Sequence, residues 1–432
     1  MLLSYLDFYD KIARIIFNGV IIMKVAVIGG GASGLTCALS TALNAKLNNL
    51  TVSVTVFESR DKAGRKILAT GNGRCNLMNR NEGDFYFDKN GFSSYALRKY
   101  DVKSNLDFFS ELGLYTRSDE EGRIYPLSNQ AASVLDALRF GCERLGVDII
   151  CNSEIKKISK SERGFQLDAS GFYDCVVFAC GGRAGVKSFN GYELLRQTGH
   201  GIIEPLPSLT KLEVKDKKFT KQLKGVRQKG KFALFISDEF VTEECGEILF
   251  TDYGLSGIAA MQLSAFAVRE LGKSRVKIQA DFVSELPFSE LYKAISNFAK
   301  SNPQERLSNL LSGFVAKKLG EMIIKELGIG LTDSFSTLDE KKLKAITSKL
   351  KKYTFEITGA RGFEDAQVTA GGADCRNFNS KTMESKKVSG LYCVGELLDV
   401  DGLCGGYNLH WAWSSGRLCG ESIIKKYLNR EG

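Results

Sequence analysis

The chain is predicted to be an α/β protein: a parallel, dinucleotide-binding sheet interrupted by an inserted domain with a β part and a helical part. Three observations carry this. A strand, a glycine turn, a helix, a second strand and an acid follow one another between Lys24 and Glu58. Beyond Pro205 and Pro207 the pattern changes to strands and then to lysine-rich helices. A buried-type strand ending in Gly395-Glu396, a glycine-rich turn and a long helix then close the chain.

The first element is the run Lys24-Val25-Ala26-Val27-Ile28, the turn Gly29-Gly30-Gly31-Ala32-Ser33-Gly34 and a helix from Leu35 to about Leu47. Glycines 29, 31 and 34 fit the dinucleotide fingerprint. The first allows the tight turn, the second lets a pyrophosphate approach the backbone, and the third lets helix and strand pack closely. The next strand, Thr51 to Phe57, ends at Glu58, whose carboxylate can accept hydrogen bonds from an adenosine ribose.

With 432 residues and 44% hydrophobic content the chain can bury two or three domain cores. Eleven cysteines without a CxxC pair, and only two histidines (His200, His410), point to reduced thiols in a cytoplasmic protein and away from a structural zinc site. Residues 1–22 form an N-terminal extension too short and too polar to span a bilayer. They read as a packed helix or as sequence upstream of a true start at Met23. Much of the +9 net charge can come from Lys211–Lys231, with nine Lys/Arg against Glu213 and Asp216. Without interleaved aromatic stacking residues, this reads as a solvated β edge, and nucleic acid is not the expected partner.

After Glu58, the polar stretch Gly64–Asn76 is too long for a hairpin and carries Arg65, Lys66 and Arg74. It suits an extended dinucleotide passing beneath, with Arg65 and Lys66 near its phosphates. Cys75 has no partner four or five residues away, so a dithiol pair is not supported. Residues 93–113 and Gln130–Leu145 read as helices, and strand signals follow at Val147–Cys151, Glu154–Ile158, Gly164–Ala169 and Tyr173–Ala179. The insertion is placed at 206–354, with its β part at about 206–282, including strands at Phe232–Ile236, Glu247–Phe250 and Arg275–Phe282, and its helical part at about 283–352. The dinucleotide domain then takes 23–205 and 355–432. No second GxGxxG lies in the insertion, so a nicotinamide cofactor would bind without its own Rossmann fold.

The segment Gly390–Glu396 reads as a buried strand ending in Gly-Glu, followed by Leu397–Asn408 and a helix from about Leu409 to Leu428. An acid after a strand can hold a polyol hydroxyl. Glycines at a helix N-terminus aim N–H groups and a positive dipole end at an acceptor. For a flavin these are the ribityl chain and the N1/C2 carbonyl region, and such a helix end favours the reduced anionic form.

The runs Gly64–Asn79, Gly246–Gly257, Gln367–Gly372, Thr382–Ser385 and Gly390–Gly416 resemble the BaiN/RdsA-type family of NAD(P)/FAD-dependent oxidoreductases, some of whose members are aminoacetone oxidases. The resemblance covers roughly residues 23–428. It implies a glutathione-reductase-type Rossmann FAD-binding domain interrupted by a β-barrel-like and helical insertion. It also implies FAD on Gly29, Gly31, Ala32, Ser33, Gly34, Glu58, Arg65, Lys66, Asn72, Gly73, Asn76, Gly395, Glu396, Asp399, Gly405, Gly406, Tyr407 and Asn408. The chain departs from the family's pattern at Asp252, where many members have histidine, at Cys180 in place of threonine, over Arg183–Asn190, and at His410 in place of glutamine.

Flavin chemistry asks the protein for orientation, electrostatics and exclusion of water, so no side-chain nucleophile is required. Tyr253 as proton donor, Arg361 as a grip on a carboxylate or keto group, and a neutral His410 are the catalytic candidates. Each also has a plain structural reading, such as Arg361 pairing with Glu364. The expected function is an FAD-dependent oxidoreductase (EC 1) reducing an activated C=C or C=N bond of a small molecule with NADH or NADPH. The alternatives are an amine oxidase using O2 and an RNA-associated flavoprotein docking through Lys211–Lys231.

Overall fold

The run Met23–Ile28 is apolar at nearly every position, as a strand covered on both faces requires, and it lies at the centre of a five-stranded parallel sheet. A computed structural model describes residues 22–431 apart from 82, 84, 169, 187 and 188; the reading of residues 1–21 as an extension lies outside the described residues. In chain order the first unit begins with β1 (Met23–Ile28), α1 (Ala32–Leu47) and β2 (Val52–Phe57). It continues through α2 (Ala131–Arg144), β3 (Asp148–Ile150) and β4 (Cys175–Phe178).

The chain then enters β5 (Leu212–Val214), β6 (Arg227–Ile236), β7 (Glu239–Phe250), β8 (Gly254–Ser256), α3 (Ile258–Ala267) and β9 (Val276–Asp281). Three helices follow, α4 (Phe288–Ser301), α5 (Lys317–Glu326) and α6 (Glu340–Lys351), and then β10 (Tyr353–Ala360). Finally β11 (Val368–Ala373), β12 (Leu391–Cys393) and α7 (Tyr407–Glu431) return to the first unit.

The parallel sheet has the order β12-β4-β1-β2-β3, so strands distant in sequence end side by side: Ile28 lies opposite Phe57 and Phe178, and Phe178 opposite Cys393. Their carboxyl ends present Gly29, Glu58, Ala179 and Gly395 together, the edge at which doubly wound sheets bind ligands. Helix α7 is tied to α1 by the Ser40 hydroxyl, which donates to the Arg417 carbonyl at 2.9 Å.

The second unit, Leu206–Gln367, holds a closed antiparallel barrel in the order β5-β8-β7-β6-β9-β10. Inward positions alternate, as in Val276, Ile278 and Ala280 of β9. Phe219, Phe232, Phe250, Phe282, Tyr353 and Phe355 fill the interior as a cluster of stacked, tilted and edge-on rings.

Several boundaries differ from the sequence reading: the strand read at Glu154–Ile158 begins only at Ile158 and runs to Ser161, residues 93–113 hold two helices, Ser94–Lys99 and Val102–Glu111, and two differences change the fold. β10 pairs with β9 and β5 and closes the barrel, so the insertion runs to Gln367 rather than 354. Its alternation, with Tyr353, Phe355 and Ile357 buried, is that of a half-buried antiparallel strand; the continuous apolar run of the parallel sheet is absent. β7 begins at Glu239, eight residues before the strand read at Glu247–Phe250. Its acidic first half is not apolar enough to signal a strand, and it is held by ladder pairing to β6 and by the ion pair of Glu243 with Lys231.

Candidate functional site

The fingerprint turn lies between β1 and α1. At Gly34 an added Cβ would lie 1.9 Å from the Gly29 carbonyl oxygen, so the third glycine is where helix and turn touch. At Gly31 an added Cβ would meet nothing within 4 Å: the second glycine faces open space. The N–H groups of Ala32, Ser33 and Gly34, in the first turn of α1, have no carbonyl four residues back within the helix and serve an anion approaching that space. Glu58 closes the turn from β2. Its Oε2 accepts the Gly30 N–H at 2.9 Å and its Oε1 the Arg60 N–H at 2.9 Å.

The second wall is the Gly395-Glu396 turn after β12. The Gly395 N–H donates to Ser415 Oγ at 3.0 Å, and the Trp411 indole N–H donates to the Gly395 carbonyl at 3.0 Å. A Cβ at Gly395 would lie 2.4 Å from Ser33 Oγ, so this turn sits directly on α1. Glu396 Oε1 accepts the Thr369 N–H at 2.8 Å and Oε2 pairs with Lys66 Nζ at 2.7 Å. The two side chains expected on the polyol and the phosphates therefore hold each other. Arg65, by contrast, is largely exposed and paired with Asp61 at 2.8 Å.

The third wall joins the Asn72–Asn76 stretch to the start of α7. Asn72 takes a φ of 54° and Gly73 of 82°, and the space beside Gly73 is open. Asn76 Oδ1 is buried without a hydrogen-bond partner and lies 2.8 Å from where a Gly406 Cβ would be. Asn79 Nδ2 holds the Gly405 carbonyl at 3.1 Å. Tyr407 stacks on Phe85 with ring centroids 4.4 Å apart, while the Tyr86 hydroxyl donates to the Tyr407 carbonyl at 3.0 Å. The Asn408 amide clamps both backbone groups of Gly402, at 2.7 and 2.8 Å, so it shapes the loop. The Asp399 backbone N–H donates to the Ala373 carbonyl at 3.0 Å. Burial pushes the Cys75 thiol up to about 11, so it stays protonated at neutral pH.

Open glycine backbone, helix N-termini and an unpartnered buried acceptor in one groove fit FAD. Sequence reasoning missed Asn79, Thr369, Trp411 and Ser415 as supports. All lie inside the runs Gly64–Asn79, Gln367–Gly372 and Gly390–Gly416, but their role appears only once the elements are assembled.

The three catalytic candidates belong to different units of the chain. His410 is buried in α7 with Nε2 3.2 Å from the Tyr100 carbonyl oxygen, which accepts from it. Tyr253 and Arg361 share the inserted unit, the guanidinium 5.1 Å from the Tyr253 ring centroid. Arg361 pairs with Asp365 at 3.0 Å and Glu213 at 3.5 Å, where the sequence had offered Glu364. Of the nine cations in Lys211–Lys231, six are ion-paired: Lys211 with Asp365, Lys215 with Glu356, Lys217 with Glu213, Lys224 with Asp252, Arg227 with Glu247 and Lys231 with Glu243; Asp365 and Glu213 are shared with Arg361 and Glu356 with Arg275.

Both histidines sit below their ordinary pKa of 6.5. Burial is the main cause in each; Lys387 adds to it at His200, and the Tyr100 carbonyl opposes it at His410. A depressed folded value means that the unfolded chain binds the proton more readily. Their contribution to stability is therefore complete above about pH 6.5 and is lost as the pH falls through the folded values. Thermal melts should show a decline below about pH 6.5, of at most about 1.4 kcal/mol per pH unit for each histidine. The double variant His200→Gln/His410→Gln should flatten that decline. An unchanged decline would assign it to carboxylates.

The family model described as HI0933-like protein Rossmann domain matches residues 23–422. The chain belongs to this family. A 3-dehydro-bile acid delta(4,6)-reductase of Clostridium scindens is 35% identical over 413 residues, covering 93% of this chain and 99% of the relative. Two proteins named ribosomal RNA dihydrouridine synthase are also similar. The one from Haemophilus influenzae is 32% identical, covering 93% of this chain and 98% of its own length. The one from Escherichia coli is 30% identical, covering 92% and 97%. The chain is an FAD-binding oxidoreductase with a Rossmann fold. Among its described residues no helix is long and apolar enough to cross a membrane.

Proposed function

We propose that this chain reduces a carbon–carbon double bond conjugated to a carbonyl in a small organic substrate, with NADH or NADPH as electron donor. The observation that carries the reading is the relative of 35% identity, named as a delta(4,6)-reductase, whose length is matched almost end to end. The name dihydrouridine synthase describes the same bond chemistry, because dihydrouridine is uridine with its carbonyl-conjugated C5=C6 bond saturated. FAD, when bound and reduced, supplies a hydride to such a bond.

The chain's own part is binding and electrostatics. The Gly405-Gly406 turn brings the N–H groups of α7 and its positive dipole end toward negative charge. Glu396, held by Lys66 and Thr369, is fixed for a polyol hydroxyl.

The RNA-directed names of two relatives favour a nucleic-acid substrate as the second reading. In the segment that the sequence offers for it, six of nine cations are engaged in ion pairs within the inserted unit, which supports the small molecule.

The deciding experiment is an anaerobic titration of the FAD-loaded protein with NADH and then NADPH, following the visible flavin band, with a 3-oxo-4,6-diene steroid added afterwards. Bleaching by a nicotinamide and recovery of the band with the dienone are expected. Bleaching by an aminoketone, with neither nicotinamide effective, would replace this reading with amine oxidation by O2.

A further inference from the structure

The loop after β11 and the turn before β12 border a surface cavity of about 380 Å³, lined by Gly201, Asp374, Arg376, Asn377, Lys386 and Lys387. No residue of the flavin groove lines it. It adjoins the Thr382–Ser385 run, which the flavin site leaves without a role.

The cavity carries an excess of organised positive charge. Asp374, the one acid in the lining, is committed to Arg376: its oxygens accept the Arg376 backbone N–H at 3.0 Å, Nε at 3.0 Å and Nη2 at 2.6 Å. These bonds hold its carboxyl below the usual range, and they fix the guanidinium plane. The charge of Lys89 also reaches Asp374. Lys386 Nζ donates to the Arg376 carbonyl at 3.2 Å and Lys387 Nζ to the Gly199 carbonyl at 2.7 Å. An ammonium has three donors, so each lysine keeps two for a ligand.

The turn bearing the lysines is anchored from beneath. Ser385 Oγ accepts the N–H groups of Lys387 at 3.0 Å and Val388 at 2.9 Å, which directs its own proton to His200 Nε2, 2.7 Å away. His200 is buried and stacked on Phe378 at 4.9 Å. The loop is also tied to the cofactor side: the Asp399 N–H donates to the Ala373 carbonyl at 3.0 Å, and Cys375 Sγ lies 3.5 Å from the Asp399 carbonyl oxygen.

We infer that this cavity docks the phosphate of a 2′-phosphorylated nucleotide, which under the reductase reading on which the inference rests is NADPH. Lys386, Lys387 and the outer edge of a guanidinium whose Nε and Nη2 already hold Asp374 leave a net charge of about +2, which suits a dianionic phosphomonoester. The site is a shallow surface depression, so a ligand would lie across it with one end only, as one end of a dinucleotide can. The chain has no second glycine fingerprint, so a nicotinamide donor must be held by a surface of another kind. The 2′-phosphate distinguishes NADPH from NADH, so the site predicts a preference for NADPH.

The test uses FAD-loaded wild type and Lys386→Ala/Lys387→Ala, whose altered side chains are exposed in the fold. Calorimetric titration with 2′,5′-ADP, with 5′-AMP as control, reads the site without redox chemistry; anaerobic reduction by NADPH and NADH reads the donor. Wild type should bind 2′,5′-ADP about tenfold or more tighter than AMP, and the variant should lose about tenfold for 2′,5′-ADP and NADPH with NADH unchanged. Unchanged 2′,5′-ADP affinity in the variant, or no binding to wild type, overturns the assignment. So does binding of a ribosomal RNA fragment that the variant loses while 2′,5′-ADP is inert. If 2′,5′-ADP binding is lost in the variant but NADPH never bleaches the flavin, the site stands and the reductase reading falls. NADPH bleaching with an unaffected variant gives the reverse.

Discussion

Gly34→Ala should yield a protein that loses FAD and melts several degrees below wild type, whereas Gly31→Ala should melt normally without cofactor and still bind FAD about tenfold or more weakly. The two glycines are three residues apart in one fingerprint and face opposite surroundings. A Cβ at 34 would lie 1.9 Å from the Gly29 carbonyl oxygen and 3.2 Å from the Ala179 Cβ, so α1 must move off the sheet. Overpacking of this kind costs about 1–3 kcal/mol, or roughly 3–10 °C for a unit of this size. At Gly31 φ is −82°, which any residue adopts, and a Cβ would touch no protein atom. The methyl group would only fill the space kept for the pyrophosphate, and an FAD affinity loss of about tenfold or more is expected. The flavin-to-protein absorbance ratio and melts of the cofactor-free variants check both. Full FAD retention by Gly31→Ala, or a cofactor-free melt as low as that of Gly34→Ala, would remove the second glycine from the cofactor site.

That contrast marks what the sequence discloses. The fingerprint was legible because its glycines, strand, helix and acid are contiguous, and backbone geometry alone explains each. The barrel was legible as a β insertion, but its closing strand was assigned to the wrong unit, because Tyr353–Ala360 finds its partners β5 and β9 far back in the chain. Charge was legible only as a sum. Lys211–Lys231 looks basic in sequence, yet its ion-pair partners Glu243, Glu247, Asp252, Glu356 and Asp365 come from other strands and loops. Lys66 and Glu396 were each assigned to a cofactor, but their mutual bond spans 330 residues, and no local pattern reports it. The Arg376–Lys387 cavity has the same character: its lysines and arginine are unremarkable until two loops are folded against His200.

Trp411→Phe should release FAD about tenfold faster or more while leaving the fold intact. The indole of Trp411 is 1% exposed, and its N–H donates to the Gly395 carbonyl at 3.0 Å. Phenylalanine keeps most of the packing but leaves that buried carbonyl without this donor, at a cost of about 1–3 kcal/mol. Gly395 takes a φ of 69° immediately before Glu396, so a shift of its peptide is passed to the side chain bound to Lys66 and the Thr369 N–H. A stability loss alone would not separate positioning from general weakening, so Leu418→Ala serves as the comparison. Leu418 is equally buried, lies two turns further along α7 and has no bond to the turn. Its truncation should cost more stability, about 2–5 kcal/mol, yet leave FAD release near wild type at temperatures well below the melt. Equal release rates in the two variants would mean that FAD retention follows overall stability. The slower release expected of Leu418→Ala, despite its lower melting temperature, would show that α7 holds the cofactor through one indole N–H and the turn it fixes.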